Sequence, residues 1–211
     1  MAFTGWPVTV SAPGAVVVLR GLTIDGGGQV GNGIAVTSIG NLHIESCVIT
    51  GFSGRANNGN GIVISTTAAS GLFIKDTLIR GNQYVGLFVG PASGSVQASV
   101  DHCRFEQNFG GVVSSGFAQV TMTDSVVSGN ASWALVAQIG GELTAEACVI
   151  SNNQTGLTSA GTGTIRASNC TITDNVTGLS ARPNGAILSR SNNTVEGNGT
   201  DGSFTGTYSA K

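Results

Sequence analysis

Apolar and polar residues alternate along this 211-residue chain in short runs, and the runs return on a regular beat. Val17-x-Leu19, Leu42-x-Ile44, Leu72-x-Ile74, Ala98-x-Val100, Val120-x-Met122, Leu143-x-Ala145 and Ile165-x-Ala167 share the period of two that a strand imposes. Three residues further on, an anchor position holds Leu22, Cys47, Thr77, Cys103, Ser125, Cys148, Cys170 and Asn193. Two beyond each anchor comes Ile24, Ile49, Ile79, Phe105, Val127, Ile150, Ile172 or Val195. Five beyond it stand Asn82, Asn108, Asn130, Asn153, Asn175 and Asn198, followed by a Gly or Ala that opens another short strand, as in Gly86-Leu87 or Gly156-Leu157. The anchors lie 25, 30, 26, 22, 23, 22 and 23 residues apart, and Leu188 and Arg190 fill the matching positions of the last repeat, where Arg190 breaks the apolar column. No window places apolar residues at i, i+3, i+4 and i+7, so no helix is expected.

A unit of about 22 residues with two or three short strands cannot bury its apolar face alone. Coiled into stacked rungs, the inward residues form one continuous core. The fold class is therefore all-β, a parallel β-helix of about eight rungs, roughly 38 Å long at the strand-to-strand spacing. The recurring Asn fits a tight bend, with its amide free to bond the next rung. One domain over 1–211 is expected, with a lead-in at 1–15, rungs over 16–200 and a loose tail at 201–211 that suggests a capped C-terminal end.

Composition narrows the partners. There are 33 Gly and only 4 Pro, 9% of residues are charged, and mean hydropathy is +0.23, which suits neither collagen nor a disordered chain. A net charge of -2 gives no basic excess for phosphates, so nucleic acid is not an expected partner. No apolar run approaches the roughly 20 residues of a membrane span. Met1–Trp6 lacks the basic and apolar stretches of a signal peptide.

The segment Cys148-Val149-Ile150-Ser151-Asn152-Asn153-Gln154-Thr155-Gly156-Leu157 resembles the right-handed parallel β-helix repeat of pectin-lyase-like proteins. Val16–Ile24 and Leu42–Ile49 resemble bacterial β-helix proteins of unassigned function. The resemblance covers roughly residues 14–200. It implies the handedness of the fold and a secreted or cell-surface setting. It does not fix the activity, because such rungs carry lyases, hydrolases, adhesins and inert scaffolds alike.

Four cysteines fall on the inward anchor column with Thr77 and Ser125 and read as buried free thiols. Stacked side chains point the same way, whereas a disulfide needs converging Cβ atoms. No metal site and no cofactor is expected. Gly26-Gly27-Gly28-Gln29-Val30-Gly31 mimics a dinucleotide-binding loop, but a strand follows it where a helix is required. The six N-x-[ST] sequons are by-products of the Asn turn. Outward Thr pairs do not stack rung upon rung, which argues against ice binding.

Three sets of residues carry the candidate functions. Asp76, His102 and Asp124 precede their anchors on consecutive rungs, an arrangement that would let His102 act as acid or base between two carboxylates. Their bland explanation is a charge ladder, with Lys75 against Asp101 and Arg80 against Glu106. Arg55, Asn57, Asn58 and Asn60 lie on the longest insertion, with Tyr84 or Trp133 nearby as a stacking surface, and form a candidate carbohydrate site. Val63, Phe88, Val113 and Val136 form an outward apolar stripe, the expected interface of a homo-oligomer, dimer or trimer. The expected function is a non-enzymatic, extracellular scaffold that self-associates and binds carbohydrate. The alternative is a polysaccharide lyase or glycoside hydrolase centred on Asp76, His102 and Asp124.

Overall fold

The computed structural model describes residues 2–4, 8–55 and 58–209. Among these residues there is no helix, and every strand pair is parallel. Each rung crosses three faces. A narrow face of nine strands runs from Ala2–Thr4 through Leu78–Arg80 and Arg104–Glu106 to Thr194–Val195. A second, the groove face, stacks Ile62–Ile64, Val85–Val89, Gly110–Ser115, Trp133–Gln138, Thr155–Ala160 and Thr177–Ala181. The third, the trough face, stacks Ser70–Lys75, Val96–Asp101, Ala118–Thr123, Glu142–Glu146, Thr164–Ser168 and Ala186–Ser189. Two long strands, Val8–Arg20 and Ile34–Glu45, pass through both wide faces and join them into one 15-stranded sheet. The architecture is the expected parallel solenoid of about eight turns.

The inward columns follow the alternation in the sequence. Ile24, Ile49, Ile79, Phe105, Val127, Ile150 and Ile172 stand in register and are fully buried. The trough face contributes Leu42, Leu72, Ala98, Val120, Leu143 and Ile165 in the same way. The last rung departs from the expected register by one residue. Ile165 pairs Ile187 and Ala167 pairs Ser189, so Leu188 lies half-buried on the outside and Arg190 falls beyond the strand. A one-residue slip exchanges the two sides of a strand, and here it puts Ile187 in the core and keeps Arg190 out of it.

Polar atoms inside the rod are satisfied by ladders. All four cysteines are free and buried, each thiol bonding the carbonyl two residues back, for example Cys103 Sγ to Asp101 O at 3.2 Å. The Asn side chains form a second ladder, in which Asn108 Nδ2 reaches Asn130 Oδ1 at 3.3 Å and Asn130 Nδ2 reaches Asn153 Oδ1 at 2.9 Å. Asp201 Oδ1 closes it, accepting from Asn198 Nδ2 at 2.8 Å. The described part of the tail is seated and not loose. Gly206–Thr207 pairs Leu188 and Ser189, and Phe204 packs against the core.

Candidate functional site

Where the trough face ends, the chain turns onto the narrow face through a residue with positive φ: Gly21, Ser46, Asp76, His102, Asp124, Ala147 and Asn169. Short polar side chains and glycine tolerate this left-handed conformation best. The polar identity of Asp76, His102 and Asp124 thus follows from the corner itself. Of the three, His102 and Asp124 meet a third partner that the sequence placed only in the charge ladder. Asp101 joins them, each residue offering one ligand atom, all within 4.8 Å of one another, and Asp76 is not part of this group. His102 Nδ1 lies 2.7 Å from Asp101 Oδ1, Thr123 Oγ1 donates to the same oxygen at 3.0 Å, and Lys75 Nζ stands 3.5 Å from Oδ2. Burial works to raise the Asp101 carboxyl, but the hydrogen bonds from His102 and Thr123 outweigh it and hold the group below the ordinary carboxylate value. The expected Lys75–Asp101 pair is present, whereas Glu106, although opposite Arg80, bonds Arg104 Nε at 2.6 Å.

The insertion residues separate. Arg55 and Asn58 are exposed, and Asn57 lies outside the described residues. Asn60 is 1% exposed. Its Nδ2 donates to Asn32 Oδ1 at 2.9 Å and its Oδ1 accepts from Val85 N at 3.3 Å. Those bonds make Asn60 a rung-to-rung tie and remove it from the sugar-binding set. Tyr84 stands on the groove face, where it stacks with Phe109 at 6.0 Å, and Phe109 meets Trp133 edge-on at 5.3 Å.

Val63, Phe88, Val113 and Val136 do stack in register as one stripe. Its exposure is smaller than the alternation suggests. Val113 is 3% and Val136 6% exposed, because Tyr84, Phe88 and Trp133 fold over them and over Val85 as a small second core. Only Val63 and Phe88 keep a half-buried surface. Aromatic rings from the neighbouring corner cover the strand, which a strict in-and-out alternation cannot foresee.

The trough face carries an open depression of about 810 Å³ lined by Asn41, Phe73, Gln97, Ser99, Gln119 and Thr121 among others. Gln97 stacks on Gln119 and Ser99 on Thr121, rung over rung. Phe73, 43% exposed, stacks on His43 at 4.7 Å. Gly71 makes room there, since a Cβ at that position would come 2.3 Å from Asn41 Oδ1 and 3.1 Å from the Phe73 ring. No charged side chain lines the depression among the described residues, and the next rungs of the same rows carry the Glu142–Arg166 ion pair. Lys75, Asp101 and Thr123 lie two residues beyond Phe73, Ser99 and Thr121 on the same strands, hence on the same side of the sheet. The charged cluster therefore borders an uncharged bed. Chemically, the bed offers amides and hydroxyls in repeating rows beside one aromatic platform.

A family profile described as right handed beta helix region matches residues 9–166 and, in a second overlapping alignment, 60–210. The chain belongs to the right-handed β-helix family. No curated protein and no solved structure matches it. Membership fixes how the β-helix is built and leaves its ligand to be argued from the faces just described.

Proposed function

We propose that this β-helix is a non-enzymatic scaffold that binds a neutral carbohydrate chain lengthwise in the trough. The observation that carries the reading is the uncharged bed of Gln97, Ser99, Gln119 and Thr121 with Phe73 exposed at one end. Amides and hydroxyls repeated on successive rungs suit sugar hydroxyls repeated along a chain, and an aromatic face suits the apolar side of a pyranose ring. At about 810 Å³ the depression lies in the range of ligand sites and, being open, admits a polymer that continues past its ends.

Affinity electrophoresis against xylan, mannan and β-glucan tests this. Phe73→Ala, and separately Gln97→Ala with Gln119→Ala, are expected to weaken retention at least about tenfold, equivalent to roughly 1.4 kcal/mol. Unchanged retention in both variants would sink the trough as the site.

Self-association through the groove face has less support than the sequence pattern suggests. With Val113 and Val136 already covered, Val63 and Phe88 contribute on the order of 3–6 kcal/mol at most. Association itself costs about 4–15 kcal/mol. Light scattering at micromolar concentration is expected to return the mass of one chain.

A second reading has one observation in its favour: Lys75, Asp101, His102 and Asp124 gather at the edge of the trough. A chain bound there would lie beside a candidate acid and base, as polysaccharide cleavage requires. A screen of the same polysaccharides and of acidic ones for reducing ends and for ultraviolet-absorbing unsaturated products separates the readings. Product release that disappears in Asp101→Asn would replace the scaffold reading with an enzymatic one.

A further inference from the structure

The groove face holds a second, smaller concavity of about 160 Å³, chemically unlike the trough. Val85, Val113 and Val136 form its apolar floor with Phe88. Trp133 and Tyr84 stand where the strands begin, and Gln138 and Arg182 where they end. Two of its three rings are seated against glycines. A Cβ on Gly110 would come 2.3 Å from Trp133 Nε1, and one on Gly90 would come 2.4 Å from the Phe88 ring. The backbone is thus cut away at two places to lay aromatic rings around one cavity. Arg182 is the single charged side chain lining it, no carboxylate lines it, and the guanidinium makes no ion pair among the described residues.

Size and charge together define an occupant. About 160 Å³ lies below the roughly 300–1,000 Å³ of sites for drug-sized ligands and matches a single ring. An apolar, aromatic-walled cavity with an unpaired guanidinium at its mouth calls for a flat ring bearing a negative charge. We propose that this pocket binds a single-ring aromatic carboxylate. The ring lies over Phe88, Val113 and Val136 against Trp133, and the carboxylate meets Arg182, with Gln138 and Thr158 as neighbouring donors. A guanidinium presents parallel N–H groups to both oxygens of a carboxylate, which an amide cannot do. The inference is independent of the carbohydrate reading, which concerns another face of the rod.

The test uses cinnamate and its uncharged counterpart cinnamyl alcohol, titrated into the intact protein by calorimetry and by saturation-transfer magnetic resonance. Cinnamate is expected to bind at least about tenfold more tightly than the alcohol, the factor typical of one charge-assisted contact. Arg182→Gln, at an exposed position, is expected to abolish that preference while leaving the alcohol unaffected. Gly110→Ala is expected to displace the Trp133 ring and weaken both ligands. Equal binding of acid and alcohol to the wild type, or an unchanged preference in Arg182→Gln, would overturn the proposal. So would no binding of either ligand at millimolar concentration. A concentration-dependent dimer with Trp133 protected in it would assign the pocket to a second copy of this chain, and the proposal would fall.

Discussion

Asn130 bridges three rungs from one position. Its Oδ1 accepts from Asn108 N at 3.0 Å, and its Nδ2 donates to Phe105 O at 3.1 Å and to Asn153 Oδ1. Replacing it with Ala deletes the amide and leaves the buried Asn108 N–H and the Phe105 carbonyl without it. At about 1–3 kcal/mol for each buried group left unpaired, Asn130→Ala is expected to cost on the order of 2–6 kcal/mol, read as a lower urea midpoint at unchanged slope. Leu at the same position is expected to do no better, because the loss is of partners and not of volume. The thiols make a pH prediction. Burial pushes Cys103 up to about 11, the carbonyl hydrogen bonds only partly opposing it. In the unfolded chain a thiol titrates near 8.5. Between those values the unfolded state has released a proton that the folded state still holds, so the contribution is intact below about pH 8.5 and is lost as pH rises through 11. The urea midpoint is expected to fall between pH 8 and 10.5, and Cys103→Ser, which copies Ser125 one rung on, is expected to flatten that slope.

At the scale of the element, the corner after each trough strand shows what the sequence could and could not tell. The strands were legible because alternation survives in every rung but the last, where Arg190 broke the column and the register was read one residue off. The Asn turn was legible because one residue type recurs six times. The corner was visible as a column, and the sequence left it open between a charge ladder and a catalytic set, since Asp, His and Asp fall on consecutive rungs. A structural reason for the polar column lies in the same positions: Gly21, Ser46 and Asn169 are residue types that accept a left-handed backbone. Asp101 was missed as the hub because its importance is three-dimensional, set by His102 beside it and by Thr123 on the next rung. Folding of aromatic rings over Val113 and Val136 was also hidden, since it depends on the height of the corner and not on the period of the strand. The misfit in the corner column is Ala147, held at φ 52 without a polar side chain. Ala147→Gly is expected to raise the thermal midpoint, by about 1 kcal/mol of relieved strain. A Val at position 102, β-branched in the same conformation, is expected to lower it.

For the whole molecule, the C-terminal end is finished by its own chain. Phe204 covers the last rung, Thr205 Oγ1 accepts from Ile187 N at 3.0 Å, and Arg190 lies 6.0 Å over the Tyr208 ring. Ending the chain at residue 200 is expected to cost at least about 2 kcal/mol from the uncovered apolar surface alone and to expose a strand edge, seen as a lower melting point with concentration-dependent aggregation. The Asn ladder gives the rod a direction as well as strength. Every link, from Asn82 to Asn108 and on through Asn175 to Asn198, donates toward the C-terminal end. Aligned amide dipoles add, as they do along a helix. The rod therefore behaves like a weak bar magnet in electrostatic terms, with its positive pole where the ladder stops. Asp201 sits on that pole as a counter-charge, so two rods approaching end to end at this terminus would bring like charges together, while rods lying antiparallel would cancel each other's field.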